Sequence, residues 1–553
     1  MGRRIIFLFL FSGYLSAQHP NNAAISTAHP LASDAGITVL EMGGNAFDAA
    51  IAVSSVLAVV EPFGSGIGGG ALFLTYNQEE DEYAMIDARE VAPMNASATM
   101  FLDNLGEPIP RLSLDGALAS AIPGLPKGLE YLANNYGNLP LTISMAPAIR
   151  LAAEGFEVDA RLAERVASQW DRFNEEAKQV YSYSNRAIKE GDWLVQENLA
   201  LTLTKIAETM GRSFYFGETR DQLLASTKEL GGIWEVKDFT DYVVVKREPI
   251  HTTFDGYKLI SSPPPSSGGI AIANMLNMLQ ALDYYNLDKA DRTHALIEVM
   301  RRAYRDRAIY LGDSDFVSIP NQSLISEDYA YGQLTNFSPL RATLSADYGD
   351  HEITTGGGDQ TTHFSIIDYD GNIVSATQSI NFNFGSGIMA AGTGVFLNNE
   401  MDDFSIKPGV PNGYGLVGSR ANAIEPNKRM LSSMSPSIML GERGVFVTGT
   451  PGGSRIISMV LLSILNWIEG MTVENIVAAP RFHHQYLPDR VEYELSAFNN
   501  QELSELESLG HQLQPTQSAY GNLNILSWLF DENNVHGAAD PRGIGSVSYS
   551  IQD

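Results

Sequence analysis

Residues Gly356 to Gly371, GGGDQTTHFSIIDYDG, constrain this chain more than any other stretch. A glycine-rich polar run, with nothing apolar to bury, stops abruptly at Thr361-Thr362, where a β-strand is predicted to begin. Ser365-Ile366-Ile367-Asp368 and Ile373-Val374-Ser375-Ala376 flank Asp370-Gly371-Asn372, the composition of a hairpin turn. The fold must therefore seat a strand pair directly after a linker. Threonine opens many strands through β-propensity alone. A cut before Thr361 would add chemistry, because a free α-amine titrates near ~7.7 to 8.0 while a threonine hydroxyl is inert at neutral pH without a base. One residue would then both attack and shuttle protons.

A chain of 553 residues can hold two or three average domains or one large sheet-centred enzyme. Its 44% hydrophobic content supplies ample core and excludes a disordered chain. A formal charge of −29 would repel a phosphate backbone, so nucleic acid is not an expected partner. With 0 cysteines there are neither disulfides nor thiol catalysis nor cysteine-based zinc sites. Arg3-Arg4, an apolar run from Ile5 to Phe11 and small residues up to Ala17 read as a secretory signal peptide over residues 1–17, cut near Ala17-Gln18. The apolar run is far short of the ~20 residues a bilayer span needs. The protein is expected to be exported, periplasmic or secreted, with no membrane contact once the signal is removed.

Along the chain, Asp48 to Glu61 reads as a buried helix entered through a capping Asn45. His294 to Gly312 carries Leu296, Val299, Met300, Ala303 and Tyr304 at helical spacing with arginines between them, which predicts an amphipathic helix. Leu503, Leu506 and Leu509 before Gly510 mark another helix with a glycine stop. Strand-like runs such as Ala71-Leu72-Phe73-Leu74 and Val445-Phe446-Val447-Thr448 recur among the helices, so the class is mixed helix and sheet. The one persuasive linker, Ser345 to Gln360, divides a longer segment, 18–360, from a shorter one, 361–553.

Gly64-Ser-Gly66-Ile-Gly-Gly69 satisfies a dinucleotide-binding spacing, but the next residues continue as a strand rather than a helix, so close backbone packing is the better account. His483-His484 do not form a metal site, because neighbours on a strand point to opposite faces and no third ligand is near in sequence. No metal and no cofactor is expected. Pro451-Gly452-Gly453 after a strand is either a plain turn or a nest of backbone N–H groups facing one anion.

Taken in order, Glu41-Met42-Gly43-Gly44-Asn45-Ala46-Phe47-Asp48, Glu61 to Gly70, Asp87-Ala-Arg89-Glu90, Pro263 to Gly269, Tyr310 to Phe316, Thr361-Thr362, Asn381, Asn398 to Phe404, Leu431-Ser432-Ser433-Met434-Ser435-Pro436 and Pro451-Gly452-Gly453-Ser454-Arg455 resemble the γ-glutamyltranspeptidase (glutathione hydrolase) family of N-terminal-nucleophile enzymes. The resemblance runs from about residue 20 to the end. It implies an α+β fold, a four-layer αββα sandwich built jointly from a large chain and a small chain that begins at a nucleophilic Thr361 after scission of Gln360-Thr361. It further implies that Gly452 and Gly453 form the oxyanion hole, that Arg89, Ser432 and Ser433 hold the α-carboxylate of a γ-glutamyl group, and that Asn381, Glu400 and Asp403 hold its α-amino group. The residue types suit this: a guanidinium fork matches a carboxylate, and carboxylates match an ammonium. Where the family usually has a second threonine near the nucleophile, this chain has Ser379, which keeps the hydroxyl and loses the methyl. Lys407 to Leu416 resembles the family's lid, with Tyr414 as its latch, which favours a small substrate in a covered pocket.

The expected activity is hydrolysis and transfer of the γ-glutamyl group of glutathione through a γ-glutamyl-Thr361 ester, with water, amino acids or dipeptides as acceptors. Alternatives are an acylase for glutaryl side chains or a poly-γ-glutamate-cleaving enzyme on the same scaffold, and a non-catalytic exported binding protein.

Overall fold

In the computed structural model, residues 19–348 and 361–551 are described. The apolar leader and Gln360 lie outside them. In chain order the elements that matter are β1 (Asn22–Thr27), α1 (Pro30–Glu41), α2 (Ala46–Val60), β2 (Gly70–Asn77) and β3 (Glu82–Ala88). After a helical insertion come β4 (Val245–Arg247), β5 (Ile250–Phe254), β6 (Tyr257–Ser261), α3 (Gly268–Ala281) and α4 (Lys289–Tyr310). Beyond the linker follow β7 (Thr362–Ile367), β8 (Ile373–Ser379), β9 (Ser437–Gly441), β10 (Gly444–Thr448), α5 (Ile456–Ile468), β11 (Asn524–Leu529), β12 (Asn534–Ala539) and β13 (Ser546–Ile551).

The strands form a seven-stranded antiparallel sheet, β13-β1-β7-β8-β2-β3-β4, and a six-stranded one, β12-β11-β10-β9-β6-β5. Alternation explains the layers. Phe364, Ile366, Val374 and Ala376 of the first sheet pack on α2, and Ala71 and Phe73 on the same face pack on the helix Leu125–Asn135, whereas Leu72, Leu74, Tyr76, Ile367 and Ile373 face Ile438, Val447 and Leu526 of the second. The second sheet's other face is covered by α3 and α5, with α4 packed on α3, which completes the expected αββα sandwich. Both sheets draw strands from both sides of residue 360, so scission there would leave neither segment with a sheet of its own.

Helix α2 begins where expected: the Asn45 side chain accepts from the N–H groups of Phe47 and Asp48, and Asp48 accepts from the Asn45 N–H. The predicted terminal helix spans Asn500–Ser508, with Gly510 just beyond it at φ 97°.

Two expectations need correction. Helix α4 starts earlier than predicted, capped by Asp288, and its polar side is not a solvent face, because Arg301, Arg302 and Arg307 are only 2%, 0% and 5% exposed. The segment 333–345 and the loop around Asp489 cover that side and pair with it. The linker also begins later than composition suggests. Ser345 is buried, its N–H donating to Asp489 Oδ2 at 2.7 Å and its hydroxyl to the Tyr486 carbonyl at 2.6 Å, and Ser345–Tyr348 form a 3-10 turn.

Candidate active site

The hairpin register fixes the first pair of groups. Thr362 pairs with Gln378 and Ile367 with Ile373, so Thr361 and Ser379 meet at the open end of the ribbon, with their hydroxyls 3.2 Å apart. The Ser379 oxygen accepts the Asn381 N–H at 2.8 Å. Thr361 has φ 108°, a backbone that a β-branched residue rarely adopts and that costs on the order of 1–3 kcal/mol. A Cβ on Gly69 would lie 2.0 Å from the Ser379 carbonyl oxygen, which bears out close backbone packing as the reason for this glycine run. His363 takes no part in the cavity. It lies buried with its ring nitrogens on Thr377 and Ser365, and burial pushes it down to about 3, leaving it neutral.

Arg89 follows directly on β3 and, far from making a surface ion pair, is 1% exposed. Its Nη1 lies 2.7 Å from Glu400 Oε2, its Nη2 donates to Asp403 Oδ2 at 2.6 Å, and Glu90 Oε2 is 3.5 Å away. One guanidinium thus faces three carboxylates. Burial raises Glu400 well above the ordinary carboxylate range, against the pull of Arg89, and brings Glu90 to about 7. The Arg89–Glu400 approach is too poorly aligned for a hydrogen bond, so neither buried Glu400 oxygen has a hydrogen-bond donor among the described residues. Glu400–Asp403 form a 3-10 turn in which Glu400, Met401 and Asp402 are buried.

In the same cavity, Ser432 Oγ accepts the Met434 N–H at 3.0 Å and Ser433 Oγ accepts from Arg307 at 3.2 Å. Since a hydroxyl oxygen has two acceptor positions and one hydrogen, each serine retains its hydrogen for a further acceptor. The loop after β10 places Gly452 and Gly453 at φ 137° and 55°, just before α5, whose N-terminus adds partial positive charge. Above it lies the predicted lid. Tyr414 stacks on Phe382 with ring centroids 4.5 Å apart, its hydroxyl donates to the Asn381 carbonyl at 3.2 Å, and the neighbouring Gly413 N–H donates to Asp402 Oδ2 at 2.8 Å. A Cβ on Gly453 would lie 2.3 Å from the Tyr414 ring, so the lid rests on this glycine.

Thr361, Ser379, Arg89, Asn381, Glu400, Asp403, Ser432, Ser433, Tyr414 and Gly453 all line one cavity, closed further by Leu416, Met434 and Ile456. Gly452 stands one residue outside that lining. Sequence reasoning missed Asp402, which holds the lid, and Arg307, which holds Ser433. The signal for Arg307 was present as an arginine on an otherwise core-forming helix. His483 and His484 are structural: the first bonds Ser458 and Gln485, the second Asp489 and the Tyr486 N–H. Among the described residues, one His/Glu group has ligand atoms close enough for a metal: His294, Glu298 and His511. It lies outside the cavity, with its histidines bonded to each other at 2.8 Å and Glu298 held by Arg302 and Thr343.

A profile of the family described as Gamma-glutamyltranspeptidase matches residues 32–550. Over 96% of its length the chain is 39% identical to a glutathione hydrolase proenzyme of Escherichia coli (strain K12), covering 92% of that protein. It is 41% identical, again over 96% of its length, to one of Pseudomonas sp. (strain A14), covering 95% of it. Among solved structures, a cephalosporin acylase from Bacillus halodurans superposes with a TM-score of 0.84 at 28% identity, over 99% of this chain and 97% of that one. Motif order, sandwich and cavity agree with the profile: the chain belongs to the gamma-glutamyltranspeptidase family.

Proposed function

We infer that this protein is a glutathione hydrolase and γ-glutamyltransferase that cuts itself between Gln360 and Thr361 and then uses Thr361 as its nucleophile. The observation that carries the reading is the surplus of carboxylates in the Thr361 cavity. Three carboxylates around Arg89 attract a cation, and the two serines in the same cavity offer hydrogens to an anion. A γ-glutamyl group carries both charges on one carbon.

In the precursor the Thr361 hydroxyl attacks the Gln360 carbonyl, the peptide becomes an ester, and water opens it. The positive φ at Thr361 supports this step, because freeing its nitrogen removes the strain. In the processed protein the new α-amine takes the hydroxyl proton as Thr361 attacks the γ-amide, and Ser379, held by the Asn381 N–H, steadies the attacking oxygen. Gly452 and Gly453 N–H groups hold the oxyanion, a donor pair whose loss typically costs ~3 kcal/mol of transition-state stabilisation per member. The amine then gives its proton to the departing cysteinylglycine. Water, an amino acid or a dipeptide resolves the ester. The two chains remain together as a heterodimer through their shared sheets. No described helix is long and apolar enough to cross a membrane. Export through residues 1–17 completes the reading.

N-terminal sequencing of the two fragments tests it, with Thr361 expected first in the small chain and Gln18 in the large one. Thr361→Ala is expected to stay in one piece and release no glutamate from glutathione. A wild-type chain that stays intact and inactive, or a small fragment starting elsewhere, would overturn the proposal. The acylase fold neighbour keeps a glutaryl substrate in view. A glutaryl group lacks the ammonium that Glu400 and Asp403 suit, so a glutaryl anilide should be the far poorer donor.

A further inference from the structure

The tip of the lid is tied to itself. Asn412 Oδ1 accepts the N–H groups of Tyr414 and Leu416, the Asn412 carbonyl accepts that of Gly415, and the Asn412 N–H donates to the Leu416 carbonyl at 3.0 Å. Residues 412–416 therefore move as one body. Two carbonyls of the tip, those of Tyr414 and Gly415, find no donor inside it. Gln485 Nε2 supplies one, at 3.4 and 3.2 Å, and also reaches the Leu487 carbonyl at 3.2 Å. Behind it, Gln485 Oε1 lies 3.0 Å from His483 Nε2, and His483 Nδ1 lies 2.7 Å from the hydroxyl of Ser458 on α5. Three carbonyls surround the amide nitrogen, so the amide oxygen is the atom that meets the imidazole. That oxygen only accepts, which places the hydrogen of His483 on Nε2 and leaves Nδ1 to accept from Ser458. Burial pushes His483 down to about 4 and keeps it neutral.

We propose that Gln485, oriented by His483, is the releasable catch of the lid and thereby a determinant of how large a donor reaches Thr361. The other side of the lid is held more firmly, by the Gly413 N–H on Asp402 at 2.8 Å, by the Tyr414 ring stacked on Phe382 and by the Tyr414 hydroxyl on the Asn381 carbonyl. At Gln485 two amide hydrogens are shared among three carbonyls at 3.2 to 3.4 Å, and the side chain is half-buried, so water can take its place. The lid lifts from the Gln485 edge and pivots about Asp402 and Asn381. His483 keeps the amide hydrogens turned to the lid, and without its Nε2–H the amide is free to flip.

This inference rests on the γ-glutamyl reading and asks what size of donor the cavity admits. The experiment compares a compact donor, γ-glutamyl-4-nitroanilide, with a bulky one, γ-glutamyl-trityrosine, on processed wild type, Gln485→Met, Gln485→Glu and His483→Phe. Losing the catch raises the open fraction by the size of a lost hydrogen bond. For Gln485→Met, KM for the compact donor should rise about 5-fold and kcat/KM for the bulky donor should rise about 5-fold, so their ratio moves about 25-fold. Gln485→Glu, which turns an acceptor on the two lid carbonyls, should move it at least as far. His483→Phe should shift the ratio in the same direction, and adding it to Gln485→Met should change nothing more, because both act through one amide. An unmoved ratio, equal losses on both donors, additive effects of the two substitutions, or failure of both Gln485 variants to fold and self-cleave would overturn the assignment and leave Gln485 as a packing residue. A wild type that cleaves neither donor would overturn the γ-glutamyl reading instead.

Discussion

Two buried clusters in this protein are built from the same parts, arginine and carboxylate, and behave oppositely. On α4 the Glu298 carboxylate itself is fully satisfied: Arg302 and Arg301 pair with it, and Thr343 donates to it through both N–H and hydroxyl. Burial alone would raise Glu298, but Arg302 and Arg301 outweigh it and pull the group down to about 2. Around Arg89 the ratio is reversed, with three acids to one base, and burial wins, raising Glu400 and Glu90. Geometry separates the two as clearly as charge does. Glu298 accepts several aligned donors, whereas both Glu400 oxygens lack one among the described residues. A closed ledger of hydrogen bonds marks a structural cluster, and an open one marks a place where something else is meant to bind.

The sharpest way to break that contrast is Glu298→Ala, which leaves buried Arg302 without an ion-pair partner among the described residues and Arg301 with Asp489 alone. It should cost ~3–5 kcal/mol of stability, seen as a lower melting temperature, while the KM of the surviving protein barely moves. A large KM effect with normal melting would dissolve the distinction. The next effect is on pH. Because Glu298 is depressed from 4.5 to about 2 in the folded protein, its contribution is fully present above pH ~4.5 and is lost as pH falls through about 2. It amounts to up to ~3 kcal/mol, and the acid melting curve of Glu298→Gln should lack it.

The open cluster should respond in the other direction. Glu400→Gln is expected to raise KM for γ-glutamyl donors about 10- to 100-fold, leaving melting within a degree or two or slightly higher, since it removes a surplus buried charge. A marked drop in melting temperature would make Glu400 structural after all. Smallest is the lid tether. Asp402→Ala removes the acceptor for the Gly413 N–H, a bond worth ~1 kcal/mol, so KM should rise about 5-fold, and Asp402→Asn should restore most of it.

Legibility in the sequence followed the range of the interaction. The Asn45 cap and the Asp370-Gly371 hairpin turn depend on neighbours within a few residues, and both were readable. The pairing of Thr361 with Ser379 was implied by the family resemblance, and the strand register on either side of that turn agrees with it. The sandwich and the cavity came through family resemblance, since no local pattern reports which loops converge. What was misread turned on distant partners. Arg307 looked like a solvent-face residue because Ser267 and Ser433, which bury it, lie 40 and 126 positions away. Ser345 looked like linker because the groups that fix it, Asp489 and Tyr486, lie more than 140 positions on.

The seat of Tyr414 on Gly453 carries a final consequence. The cover of the pocket and the loop proposed to cradle the oxyanion share one van der Waals contact, so neither can shift without disturbing the other. A side chain added at position 453 would prop the cover ajar and tilt the amide together, and solvent entry and acyl transfer should therefore drift in step across any series of such variants.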